Sequence, residues 1–259
     1  MERGKISFAR LAFEELSRTK VRDGIGMLAE KRLHGLLKRW ILDDPACHEQ
    51  NVLTRDGKKT RFVADILTPT GEIFEIQTAD LYPMRRKLEF YMGMTDHPVT
   101  VVHPLLAVKY ISWIDPSTGE VKSRKRSPLR ETPLSALAQL KPFTAYLGDP
   151  RFSLLLPIIE ADEYRLLDGW GRGGKRGSHR YELMPMALLD TVVLKDREDY
   201  VALFPESLAD GVPFLAKDFG KATRLRGYDL YHALSVFEAL GVIKPCGKKG
   251  NATLWCVSS

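Results

Sequence analysis

Two short apolar segments carry polar residues that a strand interior ordinarily excludes. Asp65 lies in RFVADIL, and Glu75 and Gln77 lie in EIFEIQT, with a Thr-Pro-Thr-Gly turn between them. Asp and Glu are depleted in strands and rarely buried unpaired, so they need either solvent or a chemical role there. Side chains two apart on a strand share a face, which puts Glu75 and Gln77 together and Ile76 behind them. A hairpin loop of three or five residues centred on Thr70 sets Asp65 opposite Glu75. A two-residue loop at 70–71 instead sets Asp65 opposite Ile76 and separates the carboxylates. In the first arrangement the two acids repel and one pKa rises unless a cation intervenes. A hard divalent ion such as Mg²⁺, held by one or two carboxylates and by substrate phosphate, meets that need.

The elements that must position these residues can be read from periodicity. Residues 6–19 and 24–42 have helical spacing, the second with Met27, Leu28, Leu33, Leu36, Leu37, Trp40 and Ile41 on one side and Pro45 beyond its end. Strands are expected near 50–54, 61–67 and 72–78, then a helix at 83–93 with a proline near its start and a glycine at its end. PVTVVHPLL, AVKYISWID and GEVKSRK follow as strands, the last two as a hairpin. The order helix, three strands, helix, strand indicates an α/β fold with a mixed sheet flanked by helices. Residues 133–143 read as helical, while the stretches either side of 169–180 read as extended or mixed. Helices at 214–225 and 227–243, followed by KPCGKKGNATLWCV as a basic hairpin, outline a winged helix-turn-helix. Two units are expected, 1–205 and 206–259.

The carboxylate pattern resembles the PD-(D/E)xK nuclease superfamily, the restriction endonuclease-like fold. Asp65 matches its first carboxylate, Glu75-Ile76-Gln77 its acidic triplet, and Glu30, on the preceding helix, the acidic residue typical of archaeal-type Holliday junction resolvases. The resemblance covers about residues 20–110. Ala64 replaces the motif proline and Gln77 replaces the lysine, and a neutral amide cannot act as a base. The resemblance implies metal-dependent phosphodiester hydrolysis with Mg²⁺, or Mn²⁺ in its place. Asp65, Glu75, the Ile76 carbonyl and Glu30 would hold the ion, and Gln77 would orient the hydrolytic water. Arg85, Arg86 and Lys87, just beyond the triplet, are expected to contact the phosphate backbone.

Composition agrees with a polyanion partner. The net charge is +6, and basic residues fall in runs without acids: five in VKSRKRSPLR, four in GWGRGGKRGSHR and three in KPCGKKG. Such runs favour phosphate through counterion release. Arg172, Lys175, Arg176, Lys248 and Lys249 are the expected DNA contacts within them, with Trp170 placed to stack on a base. The Gly-Arg-Gly-Gly-Lys stretch lacks the P-loop pattern. The start of the chain has no signal-peptide core and no segment approaches membrane-span length. Three cysteines, Cys47, Cys246 and Cys256, form no CxxC pair and are expected to be reduced thiols of a cytoplasmic protein. The histidines at 48, 97, 103 and 179 have no ligand spacing. The leading expectation is a Mg-dependent DNA endonuclease, as a homodimer or with a partner protein held by the winged helix. The alternative is an inactive nuclease-fold protein that binds DNA or assembles a complex.

Overall fold

The computed structural model describes residues 7–19, 29–169 and 177–258. Helices α1 (Phe8–Thr19) and α2 (Ala29–Ile41) come first. The helical spacing of Leu33, Leu36, Leu37 and Ile41 gives α2 a buried face that packs with Phe8, Leu11 and Ala12 of α1 over one side of the sheet. Arg39 joins the two helices through Glu14 at 3.0 Å. Residues 24–28 of the expected second helix, and the basic loop at 170–176, lie outside the described residues.

Strands β1 (His48–Asn51), β2 (Val63–Leu67) and β3 (Ile73–Ile76) form an antiparallel meander. The register Ile66↔Phe74 and Leu67↔Ile73 centres the β2–β3 loop on Thr70. The loop has five residues because Thr68 N–H donates to Glu72 O and Gly71 N–H donates to Thr68 O, at 2.9 Å each. Gly71 sits at φ +87°, and a Cβ there would lie 3.2 Å from His97 Nδ1. Gly71→Ala is therefore expected to cost about 1–2 kcal/mol of stability, checked by urea unfolding.

Helix α3 (Arg85–Met94) crosses over the sheet, so that β4 (Val99–Val102) runs parallel to β3. Strand β5 (Leu105–Ile114) continues almost in line and pairs with β6 (Val121–Arg126) as a hairpin. After α4 (Pro133–Leu137) and a 3₁₀ segment, Ala138–Tyr146, come the long strands β7 (Phe152–Gly169) and β8 (Gly177–Leu194). β8 occupies one edge of β7 throughout. On the other edge β7 pairs first with β4 and then, from Ile158, with β5. Pro157, which looks like an interruption in the sequence, lies within β7 at this change of partner. Its missing N–H falls opposite the break at His103 and Pro104, where the ladder to that side is open. β3 ends beside the same break, so the sheet forks there and leaves a notch at the carboxyl ends of β3 and β4.

The C-terminal part contains α5 (Arg197–Val201), β9 (Phe214–Leu215), α6 (Ala216–Thr223), α7 (Gly227–Ala239) and the hairpin of β10 (Ile243–Lys249) and β11 (Ala252–Val257). β9 pairs with β11, giving a three-stranded sheet in the order β10-β11-β9. Phe204, Phe214, Phe219 and Phe237 pack their rings 5.2–6.5 Å apart beneath it. The apolar cluster is continuous across the boundary expected at 205: Leu137, Leu140 and Phe143 share it with Leu234 and Phe237 of α7. One cysteine expectation is corrected. Cys246 and Cys256 form a disulfide across the hairpin, Cα to Cα 5.8 Å, because a bulge between Pro245 and Gly247 brings Cys246 beside Cys256. Cys47 is a free, buried thiol. No helix among the described residues is long and apolar enough to cross a membrane.

Candidate active site

The notch opens into a cleft of about 560 Å³ whose lining includes His34, Asp65, Glu75, Gln77 and Lys87. Its geometry follows from the way β2 and β3 part. Their ladder stops at Ile66↔Phe74, and one further step of that register sets Asp65 opposite Glu75. The Ile76 amide is instead taken by the Asp65 side chain: it donates to Oδ2 at 2.7 Å. His34 Nε2, from α2, lies 3.2 Å from the same oxygen. Burial raises the Asp65 pKa, but the His34 hydrogen bond, the Ile76 amide and the charge of Lys87 outweigh it. The carboxyl is held below its ordinary value.

Glu75 is 1% exposed and meets two groups from α3. Lys87 Nζ donates to Oε2 at 2.6 Å and Tyr91 Oη donates to Oε1 at 2.6 Å. Lys87 and Tyr91 are four apart, so one helix face presents both. Burial drives the Glu75 pKa up. Lys87 opposes the rise, Asp65 adds to it, and the result is about 7. Burial, reinforced by Glu75, likewise raises the Tyr91 phenol, which stays protonated as a donor. The two carboxyls are thus pushed in opposite directions.

Gln77 follows on the same strand face and also lines the cleft. Its main chain is fixed from both sides: Gln77 N–H donates to Val102 O at 2.9 Å, and the His103 ring bonds Gln77 O through Nδ1 at 2.7 Å. The other ring nitrogen of His103 lies 3.3 Å from Gln139 Nε2. Burial lowers the His103 pKa, so the ring is a neutral strut: Nδ1–H donates to Gln77 and Nε2 accepts from Gln139.

The other expected site residues are spread more widely. Glu30 is in the first turn of α2, one turn before His34, and its side chain lies outside the described residues, as do Arg172, Lys175 and Arg176. Arg85 pairs with Glu89 at 3.4 Å and stands over the Tyr82 ring, while Arg86 is exposed. Lys87, expected on phosphate, points instead at Glu75. Lys248 and Lys249 are exposed at the tip of the C-terminal hairpin. Sequence reasoning missed three participants. His34 and Tyr91 each stand one helical turn from a residue it had singled out, Glu30 and Lys87, and that spacing was the available signal. The third, the His103–Gln139 strut, joins residues far apart in the chain and left no signal.

Among the described residues, no three His, Cys, Asp or Glu side chains converge as a ready-made metal cage. The donors that do converge are two carboxylates on adjacent strands. They fit an oxygen-preferring ion such as Mg²⁺, which takes few protein ligands and fills its remaining positions with water and phosphate.

Fold and cleft together define an α/β protein with a forked mixed sheet and a carboxylate–lysine site at the fork. The chain belongs to the family described as Domain of unknown function (DUF8091), whose model matches residues 31–195. That span holds His34, Asp65, Glu75, Gln77 and Lys87, and it ends with β8, before the C-terminal helices and hairpin. No curated protein and no solved structure matches the chain.

Proposed function

We propose that this protein is a metal-dependent DNA endonuclease of the PD-(D/E)xK, restriction endonuclease-like type. One observation carries the reading. Asp65 and Glu75 meet at one cleft, and the Lys87 ammonium, 2.6 Å from Glu75, supplies the positive charge that Gln77 in the triplet does not. The element order supports it: α2, the β1–β2–β3 meander, α3 and the parallel strand β4 follow the sequence expected of such a core.

In this reading Asp65 and Glu75 hold Mg²⁺ or Mn²⁺, with the Ile76 carbonyl and Glu30 as further oxygen ligands. When bound, the ion supplies Lewis-acid polarisation of the phosphate and an acidified water. The protein's own groups do the rest. His34 and the Ile76 amide fix the Asp65 carboxylate, and Lys87 favours the ionised form of Glu75. The Gln77 amide, on a main chain braced by His103, orients the attacking water. Arg86 and the basic hairpin tip at Lys248 and Lys249 face the DNA backbone. The order β9-α6-α7-β10-β11, with β9 closing on β11, supports a winged helix at the C-terminus. Cutting both strands of a duplex calls for two such sites, hence a homodimer or a partner protein. The reading sets the chain in the cytoplasm.

A second reading, a DNA-binding scaffold without catalysis, draws on a different observation: both Glu75 oxygens already have partners, Lys87 and Tyr91. A nicking assay on supercoiled plasmid and branched DNA decides between them. Cleavage that requires Mg²⁺ or Mn²⁺ and stops with EDTA is expected. Salt-sensitive DNA binding with no cleavage under any metal would favour the scaffold.

A further inference from the structure

The C-terminal hairpin is anchored at one end only. At its root Ile243 is buried in the core, and Trp255 and Val257 pack against the same cluster. Further out, β10 is exposed from Lys244 to Lys249. Among the described residues the only third strand of this sheet is β9, which pairs with β11 at Leu254 and Trp255. From Gly247 to Thr253 the chain is therefore a bare two-stranded ribbon, held by the pairs Gly247↔Leu254, Lys248↔Thr253 and Lys249↔Ala252. A ribbon of that kind is marginally stable in water.

The disulfide sits where this ribbon leaves the core. The ladder is interrupted between Pro245 and Gly247, and Cys246 is the extra, unpaired residue of that bulge. Its bond to Cys256 crosses the hairpin at the point where hydrogen bonding lapses, Cα to Cα 5.8 Å. The bond thus staples the ribbon at its base, with Lys248 and Lys249 beyond it. Cys246 is exposed, so a small thiol can reach its sulfur. Cys47, the remaining cysteine, is buried, and burial pushes its thiol up, so it takes no part.

We propose that the Cys246–Cys256 pair is a thiol-operated switch that fixes the lysine-bearing hairpin tip when oxidised and releases it when reduced. An exposed disulfide in a compartment with a glutathione buffer is of the labile, redox-sensing kind. A glutathione thiolate attacks Cys246 Sγ, breaking the protein's S–S bond and forming a mixed disulfide. The electron pair leaves on Cys256 Sγ, which takes a proton. A second glutathione attacks the mixed disulfide, releasing Cys246 as a thiol together with oxidised glutathione. Two electrons and two protons pass to the protein, and the reverse exchange restores the bond. In the nuclease reading the tip faces the DNA backbone, so reduction weakens DNA binding. That consequence rests on the nuclease reading, whereas the switch does not.

The test takes the full chain through glutathione buffers from fully oxidised to fully reduced. A maleimide mass tag added in denaturant counts free thiols: one is expected at the oxidised end and three at the reduced end, reversibly. Amides of 247–253 should exchange hydrogen about tenfold or more faster in the reduced protein, while those of β2 and β3 are unchanged. Cys246→Ser and Cys256→Ser should each match the reduced form in every buffer. Fluorescence anisotropy with a labelled duplex in EDTA should show the reduced form binding about three- to tenfold more weakly, a difference absent from Cys246→Ser. Three free thiols at the oxidised end, a bond that survives reduced glutathione, or equal exchange at the tip in the two forms would overturn the switch. Equal DNA affinity of the two forms would overturn its control of binding. Redox-dependent exchange with no DNA binding or cleavage in either form would leave the switch standing and remove the nuclease reading. Metal-dependent cleavage with a tip indifferent to glutathione would do the reverse.

Discussion

Under the proposed nuclease reading, Lys87→Ala is expected to lower cleavage at pH 7 on the order of 100-fold, and adding Gln77→Lys to recover a large part of the loss. The expectation comes from what Lys87 does to Glu75. Its ammonium is 2.6 Å from a carboxyl that is 1% exposed and opposed by Asp65. Removing it leaves the burial and the repulsion in place, so Glu75 takes up a proton and ceases to be an anionic ligand. A single charged or hydrogen-bonding group of this kind is worth about 10²–10³ in rate. Residue 77 shares the strand face of Glu75, so a lysine there presents its ammonium to the same carboxyl from another direction. Two readouts separate this from simple damage. Lys87→Ala should regain activity as pH is raised, because its Glu75 ionises later, and the double variant should return the profile toward wild type. A double variant no better than Lys87→Ala across the pH range would mean that Lys87 serves only to bind phosphate.

The difference between positions 77 and 87 shows where sequence reasoning reaches its limit. Strand alternation alone placed Glu75 with Gln77, since that relation is local. Whether Asp65 faced Glu75 depended on the parity of the loop, which the residues left open. Thr68 and the left-handed Gly71 select five residues and so the register centred on Thr70. In the sequence Lys87 is a helix residue just past the triplet, a position that suggests a phosphate contact. Only the docking of α3 on the sheet turns it toward Glu75. The middle of the chain was hardest to read because β7 is buried through much of its length and neither β7 nor β8 alternates regularly. Pro157 added a false break, since its harmlessness depends on the partner change opposite Pro104. The cysteines were misread for a similar reason: a separation of ten residues carries no pairing information until a hairpin bulge brings the two together.

Glu75→Gln is expected to abolish cleavage while making the protein more stable at alkaline pH. Burial raises this carboxyl from its ordinary 4.5 to about 7 in the folded protein. The folded state therefore favours the protonated form more strongly than the unfolded chain does. That contribution is fully present below pH 4.5 and is lost as pH rises through 7. At 1.36 kcal/mol per pH unit the loss is on the order of 3 kcal/mol above pH 8. Glutamine stays neutral across this range. Its carbonyl can accept from Lys87, and its amide can donate to the Tyr91 oxygen, much as the protonated acid would. The difference in unfolding free energy between variant and wild type should be small at pH 4.5, grow through neutrality and level off above pH 8. Comparing the two proteins at each pH cancels titrations elsewhere in the chain. Chemical denaturation from pH 4.5 to 9, without metal, makes the measurement. A variant less stable than wild type at pH 8 would show that the Glu75 carboxylate, with Lys87 and Tyr91, holds the fold together. A variant more stable but inactive would mean that the protein keeps a destabilising anion at this point because its chemistry requires one.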